Sequence, residues 1–238
     1  MTFIESNILD PIQPTLPVDI WDKVGQPFPI LKPKVAHFIQ KCIYDALHDH
    51  GYKGAKDWLR LYLTGSLTSF QYSDQSDCDV SLFIDAAKFP EWSRQEMIGI
   101  MVTRVDGRKI PDTPYPLQDY VVPHGISPQD LYKPGLRSAY DIDNNQWVVP
   151  PDKSIAHNPK AEEANWYIFG LEQADKLESL LSSDPHKAIQ QWHYIHQRRK
   201  EDQAAGKGDY SIWNLAYKFL DKRGLFKRIS EITGEHIA

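Results

Sequence analysis

Two aspartates one residue apart, Asp77 and Asp79, stand at the head of a segment that reads SDCDVSLFID over residues 76–85. This segment is expected to be a strand, and a strand sends successive side chains to opposite faces. Asp77, Asp79 and Ser81 then share one face, while Cys78, Val80 and Leu82 share the other, where an apolar core would lie. Two carboxylates so placed repel each other without a cation. A hard divalent ion, Mg²⁺ or Mn²⁺, prefers such oxygens to imidazole or thiolate. Upstream, a first apolar segment, WLRLYLT over residues 58–64, runs into Gly65-Ser66, and ten residues separate Ser66 from Asp77. Glycine lets backbone approach a phosphate, and serine adds a hydroxyl donor. Together these groups suit phosphoryl transfer. Charge spreads over phosphate oxygens in the transition state, and metal ions offset it while holding the attacking and leaving oxygens.

An Asp-x-Asp pair alone is weak evidence, because it is usually a turn or a solvated strand end. Strand, Gly-Ser, ten residues, Asp-x-Asp and strand together resemble the signature of the DNA polymerase β-like nucleotidyltransferase superfamily. That group includes poly(A) polymerases, CCA-adding enzymes, oligoadenylate synthetases and antibiotic-modifying enzymes. The resemblance implies transfer of a nucleoside monophosphate from an NTP such as ATP to an acceptor hydroxyl, with release of pyrophosphate. It implies two ions, Mg²⁺ or Mn²⁺, bridged by Asp77 and Asp79. It also implies a third carboxylate on a later strand, and the match is Asp119 in LQDYVV, residues 117–122. Asp119 would bind the catalytic metal and help the acceptor hydroxyl lose its proton. Gly65 and Ser66 would hold the terminal phosphates. Asp85 and Asp112 are poorer matches; Asp85 lies six residues beyond Asp79, about 20 Å along an extended strand.

The elements that must position these groups are legible as patterns. Residues 1–34 are proline-rich and are expected to form an extended N-terminal arm. A helix is expected over about 33–50, with an apolar stripe from Val35 to Leu47. A second helix is expected over 89–104, opened by Pro90, and a hairpin over 138–149 that turns on Asp143-Asn144-Asn145. From residue 161 the pattern becomes helical, with candidates at 160–182, 185–204, 210–223 and 225–232. The expected fold is α+β: a nucleotidyltransferase-type mixed sheet flanked by helices over residues 1–158, followed by a C-terminal helical region over 159–238.

The helical region concentrates positive charge. Residues 198–228 hold nine Lys/Arg against four Asp/Glu, a balance of +5 in a chain of −5. On helix 210–223, Asn214, Tyr217 and Lys218 have the spacing of one face. By resemblance, Lys218 would meet the triphosphate and Tyr217 the base. Arg198, Arg199 and Lys200 are candidates for an RNA acceptor, which makes an RNA 3′ end the favoured acceptor. A protein side chain, a small molecule or a second nucleotide stay open, as does a non-catalytic nucleotide-binding module on the same fold. His193 and His196 are three apart on one helix, with no third metal ligand near in sequence.

The bulk numbers set outer limits. A chain of 238 residues, 41% hydrophobic, with twelve Tyr and seven Trp, can bury a sizeable core. Two cysteines outside any CxxC pair favour neither a zinc knuckle nor a disulfide framework. No Gly-x-x-x-x-Gly-Lys or Gly-x-Ser-x-Gly motif occurs, which excludes a P-loop and a serine-hydrolase elbow. No apolar run is long enough to span a bilayer, and the first residues do not read as a signal peptide. A cytoplasmic protein without a membrane partner is expected.

Overall fold

A computed structural model describes residues 12–90, 92–123, 125–128, 132, 138–155, 164–205 and 211–234. The described residues up to 155 form one compact unit, and those from 164 onward form another.

The first unit is α+β, built on a five-stranded mixed sheet. Its strands are β3 (Leu59–Thr64), β4 (Cys78–Ile84), β5 (Leu117–Val121), β6 (Ala139–Asp141) and β7 (Gln146–Val149), in the order β5-β4-β3-β6-β7. β3 and β4 pair antiparallel from Leu59 opposite Ile84 to Thr64 opposite Asp79. β4 and β5 pair parallel, a geometry that needs a crossover, and helix α3 (Arg94–Arg104) lies in it. Ser93 caps that helix by accepting the amide of Glu96. The helix therefore starts at Arg94, later than a proline-opened start at Phe89 would put it.

Helix α1 (Pro33–Asp49) begins with Pro33 in its first turn and buries Val35, Ile39, Cys42, Ile43, Ala46 and Leu47. Met97, Ile100 and Met101 of α3 join this stripe, together with Leu61, Leu63, Val80, Leu82, Leu117 and Val121 from the sheet. That cluster fixes which sheet face is the core. The opposite face carries Tyr62 and Phe83, edge to face at 5.0 Å, with Tyr132 against both.

The N-terminal segment differs from the expected extended arm. Residues 1–11 lie outside the described residues. From Ile12 onward the chain forms a small hairpin of β1 (Trp21–Asp22) and β2 (Ile30–Leu31). Leu16, Ile20, Trp21 and Leu31 are wholly buried. Trp21 stacks on Trp147 at 4.7 Å and donates its indole N–H to the Leu67 carbonyl at 2.8 Å. The prolines turn this segment, and its aromatic and aliphatic residues belong to the core. Another departure is Trp58, which ends a short helix, α2 (Ala55–Trp58), and does not open β3.

The second unit contains α4 (Ala164–Ser183), α5 (Pro185–Ala204), α6 (Ile212–Lys222) and α7 (Leu225–Thr233). Residues 160–163 of the expected first helix lie outside the described residues. Asp184 accepts the amide of Lys187 before α5, and Ser211 accepts that of Asn214 at the start of α6. Leu177, Ile189, Trp192, Ile195, Leu215, Phe219, Leu220, Phe226 and Ile229 make the core. Gly170 is required at its place, because a Cβ there would lie 2.8 Å from the Phe219 ring. Among the described residues, no helix is long and apolar enough to cross a membrane.

Candidate functional site

The Gly-Ser turn and Asp79 meet in space, while Asp77 lies just before β4, which begins at Cys78 and not at Ser76. β3 ends at Thr64, which pairs with Asp79 on β4, and the next residue is Gly65. Gly65 has φ 73° and ψ −157°, a conformation open essentially to glycine alone. Its position also requires glycine: a Cβ there would overlap Asp79 Oδ2 and lie 2.7 Å from the carboxyl carbon. The Asp79 carboxylate therefore lies directly over the backbone of the turn. Ser66 opens a short 3₁₀ turn, Ser66–Thr68, held by Thr68, whose hydroxyl donates to the Gly65 carbonyl at 2.8 Å. Ser66, Asp77 and Asp79 are all half-buried. Cys78 between the aspartates is fully buried, and burial with the two neighbouring carboxylates pushes its thiol well above the ordinary range. Cys78 thus stays a protonated core residue, and a cation on this face would meet oxygen donors.

Asp119 is not brought to this group. In the parallel β4–β5 register, Asp119 pairs with Val80, while Asp79 pairs with Gln118. Lateral neighbours in a sheet share a face. Asp119 therefore points with Val80, between buried Leu117 and Val121, toward the helices. Its amide donates to Asp106 Oδ1 at 2.9 Å. Burial, followed by a hydrogen bond to the Asp106 side chain and that group's charge, pushes the Asp119 carboxyl up to about 9. On the core face the Asp119 carboxyl is turned away from the face of Asp79, so it is not placed to serve there as a metal ligand or general base. The expected role of Asp119 is therefore corrected. Asp112 lies in a loop, paired with Lys34 at 2.9 Å, and Asp85 lies beyond the far end of β4, paired with Lys88.

The row that does share the Asp79 face is Thr64, Asp79 and Gln118, with Tyr62, Ser81 and Tyr120 as the next row. Gln118 and Tyr120 are exposed, and Arg94 lies over the Tyr120 ring at 5.8 Å. Further along the same face, Arg60, Tyr62, Phe83, Asp85, Ile126 and Pro128 line an open cleft of about 220 Å³. Among the described residues, no three His, Cys, Asp or Glu side chains gather as a ready metal cluster. Sequence reasoning missed Gln118, because nothing local in LQDYVV reveals the register against β4.

The helical candidates are disposed differently from expectation. Tyr217 is 9% exposed. The Arg199 guanidinium covers its ring at 4.2 Å, and His196 and Phe226 pack against it. That ring is a core element with no open face for a nucleobase. Asn214 is wholly buried and accepts from Arg199 Nε at 2.8 Å. Arg198 pairs with Glu201 at 2.6 Å and lies over Trp213. Of the three residues suggested for an RNA acceptor, Arg198 and Arg199 thus brace the helices, and Lys200 alone is exposed. Lys218 is half-buried on α6. His196 stacks on Trp192 at 5.2 Å; burial, with Lys200 and Arg199 nearby, pushes it down to about 4. It is a packed neutral ring.

Comparison with known proteins returns no family model, no curated protein and no solved structure that matches the chain.

Proposed function

We propose that this chain binds a nucleoside triphosphate with a divalent cation at Gly65, Ser66, Asp77 and Asp79, and transfers its nucleoside monophosphate to an acceptor. The observation that carries this reading is the contact between the Gly65 turn and the Asp79 carboxylate. It sets the Asp79 carboxylate, with Asp77 two residues before it, against a glycine turn whose backbone could approach a phosphate. Asp77 and Asp79 would hold a Mg²⁺ or Mn²⁺ ion, which neutralises phosphate charge when bound. The Gly65-Ser66 turn would receive the outer phosphates through its backbone and the Ser66 hydroxyl. Nucleoside monophosphate transfer follows from the resemblance of residues 63–85 to the polymerase β-like signature. So does the expectation of a nucleotidyltransferase fold for the mixed sheet. RNA stays one acceptor among several.

A second reading, a binding module without turnover, gains weight from β5, which offers Gln118 where a third carboxylate would stand. The test is incubation of the protein with α-labelled NTPs, Mg²⁺ or Mn²⁺, and total RNA. Label in RNA, protein or a small product, together with pyrophosphate and its loss in Asp79→Ala, supports transfer. Cation-dependent nucleotide binding without pyrophosphate supports the module. Neither binding nor release refutes both.

A further inference from the structure

The β5 residue beside Asp79 completes the site face, and it is an amide. β5 runs parallel to β4 with Gln118 next to Asp79 and Tyr120 next to Ser81. Adjacent strands lie about 4.8 Å apart, and lateral neighbours point the same way. Gln118 is exposed, while Leu117 and Val121 on the other face are buried. Resting on the nucleotide-and-metal reading above, we infer that Gln118 is the third member of the site. It is a neutral group that donates its amide N–H to a phosphate oxygen of the bound nucleotide, and it does not help to hold a second cation.

The chemistry of the residue fixes the consequences. A carboxamide offers two N–H donors and one carbonyl oxygen, and carries no charge. Gln118 then adds no fixed negative charge beside Asp79; Asp141 shares the face next to Tyr62, but its carboxylate is held by the Asn144 backbone and side-chain amides. Such a donor set suits one Mg²⁺, which is commonly held by one or two carboxylates, substrate phosphates and water. A carboxamide also cannot take a proton at neutral pH, so the acceptor's proton must leave to solvent or to a substrate phosphate. Asp119 cannot substitute, because it lies on the opposite face of the sheet.

Mn²⁺ and α,β-methylene ATP are the probes. Bound Mn²⁺ is counted by the electron paramagnetic resonance of the free ion, and analogue affinity by calorimetry. The wild type is expected to take up one Mn²⁺ per chain with the analogue. Gln118→Glu should take up a second. Gln118→Ala should keep the Mn²⁺ but bind the analogue about tenfold more weakly, the effect of one lost bond to a charged group. Two Mn²⁺ on the wild type, no added ion in Gln118→Glu, or unchanged analogue affinity in Gln118→Ala would each overturn the inference. Asp79→Ala, run in parallel, separates the two levels. If it binds Mn²⁺ and analogue as the wild type does, the nucleotide-and-metal reading itself fails. If it loses both while Gln118→Ala loses nothing, only the role of Gln118 fails.

Discussion

Gly65→Ala tests the meeting of turn and carboxylate directly. Two costs add. The backbone at φ 73°, ψ −157° excludes a Cβ, a strain of about 1–3 kcal/mol. The new methyl would also lie 2.7 Å from the Asp79 carboxyl carbon, so Asp79 must leave its rotamer, at about 0.5–1.5 kcal/mol. The total is about 1.5–4.5 kcal/mol. Only the second cost depends on the Asp79 carboxyl. In an Asp79→Ala background the same glycine substitution should therefore cost about 0.5–1.5 kcal/mol less, a coupling typical of residues in contact. Urea unfolding of the four proteins of this cycle measures it from the midpoints at constant slope. Gly65→Ala should also lose the Mn²⁺-dependent rise in melting temperature, because the carboxylate has been pushed off its position. Additive costs in the two backgrounds, or an intact Mn²⁺ response in Gly65→Ala, would refute the reasoning.

Asp119→Asn should stabilise the protein above about pH 4. The folded carboxyl, raised to about 9, binds its proton more tightly than the unfolded one, so wild-type stability is full below pH 4 and is lost as pH rises toward 9. The amide removes that loss, worth up to about 1.4 kcal/mol per pH unit, and Mn²⁺ binding should not change; a variant with wild-type pH dependence, or without metal affinity, contradicts the account. His196 acts with the opposite sense: lowered to about 4 when folded, it adds stability that is present above pH 6.5 and lost as pH falls toward 4. His196→Phe should flatten that acid limb in a melting-temperature series, and an unchanged limb would refute the burial of this ring. Arg199→Ala should destabilise the helical unit by about 1–3 kcal/mol, because it strips a partner from buried Asn214; a neutral result in urea unfolding would return Arg199 to the pool of ligand-binding cations. Trp21→Ala should cost about 3–5 kcal/mol, since that indole is wholly buried among Trp147 and Tyr140; a loss under 1 kcal/mol would mean the N-terminal segment is dispensable to the core.

The site was legible where the information is local. Parity along β4 put Asp79 and Ser81 on the face opposite Val80 and Leu82, although the strand begins at Cys78, after Asp77, and the short link from Gly65 to that strand pointed to a turn against it. Asp119 was misread because a mid-strand charge was taken as a sign of chemistry. The apolar residues two before and two after it, Leu117 and Val121, already assigned it to the core face. What the sequence could not supply was the register of β5 against β4, which is set by a crossover through α3 and decides that Gln118 stands beside Asp79. The same limit applied to Tyr217 and Arg199. Helical spacing placed Tyr217 near Lys218, but only packing against α5 shows that the arginine covers the ring. The prolines before residue 34 suggested a solvated arm, yet Leu16, Ile20 and Trp21 have the apolar weight of core residues, and burial outweighed the local backbone preference.

Asp77 and Asp79, the latter backed by the Gly65 turn, are proposed to bind a nucleoside triphosphate through a divalent cation. Calorimetric titration of α,β-methylene ATP into the wild type and Asp79→Asn, each with Mg²⁺ and with EDTA, tests it most directly. Asparagine keeps the shape of the side chain and removes its charge, so the packing on Gly65 is preserved. Binding is expected to the wild type with Mg²⁺, with at least a tenfold weaker response in the other three samples. Equal affinity in Asp79→Asn, or affinity indifferent to EDTA, would contradict it.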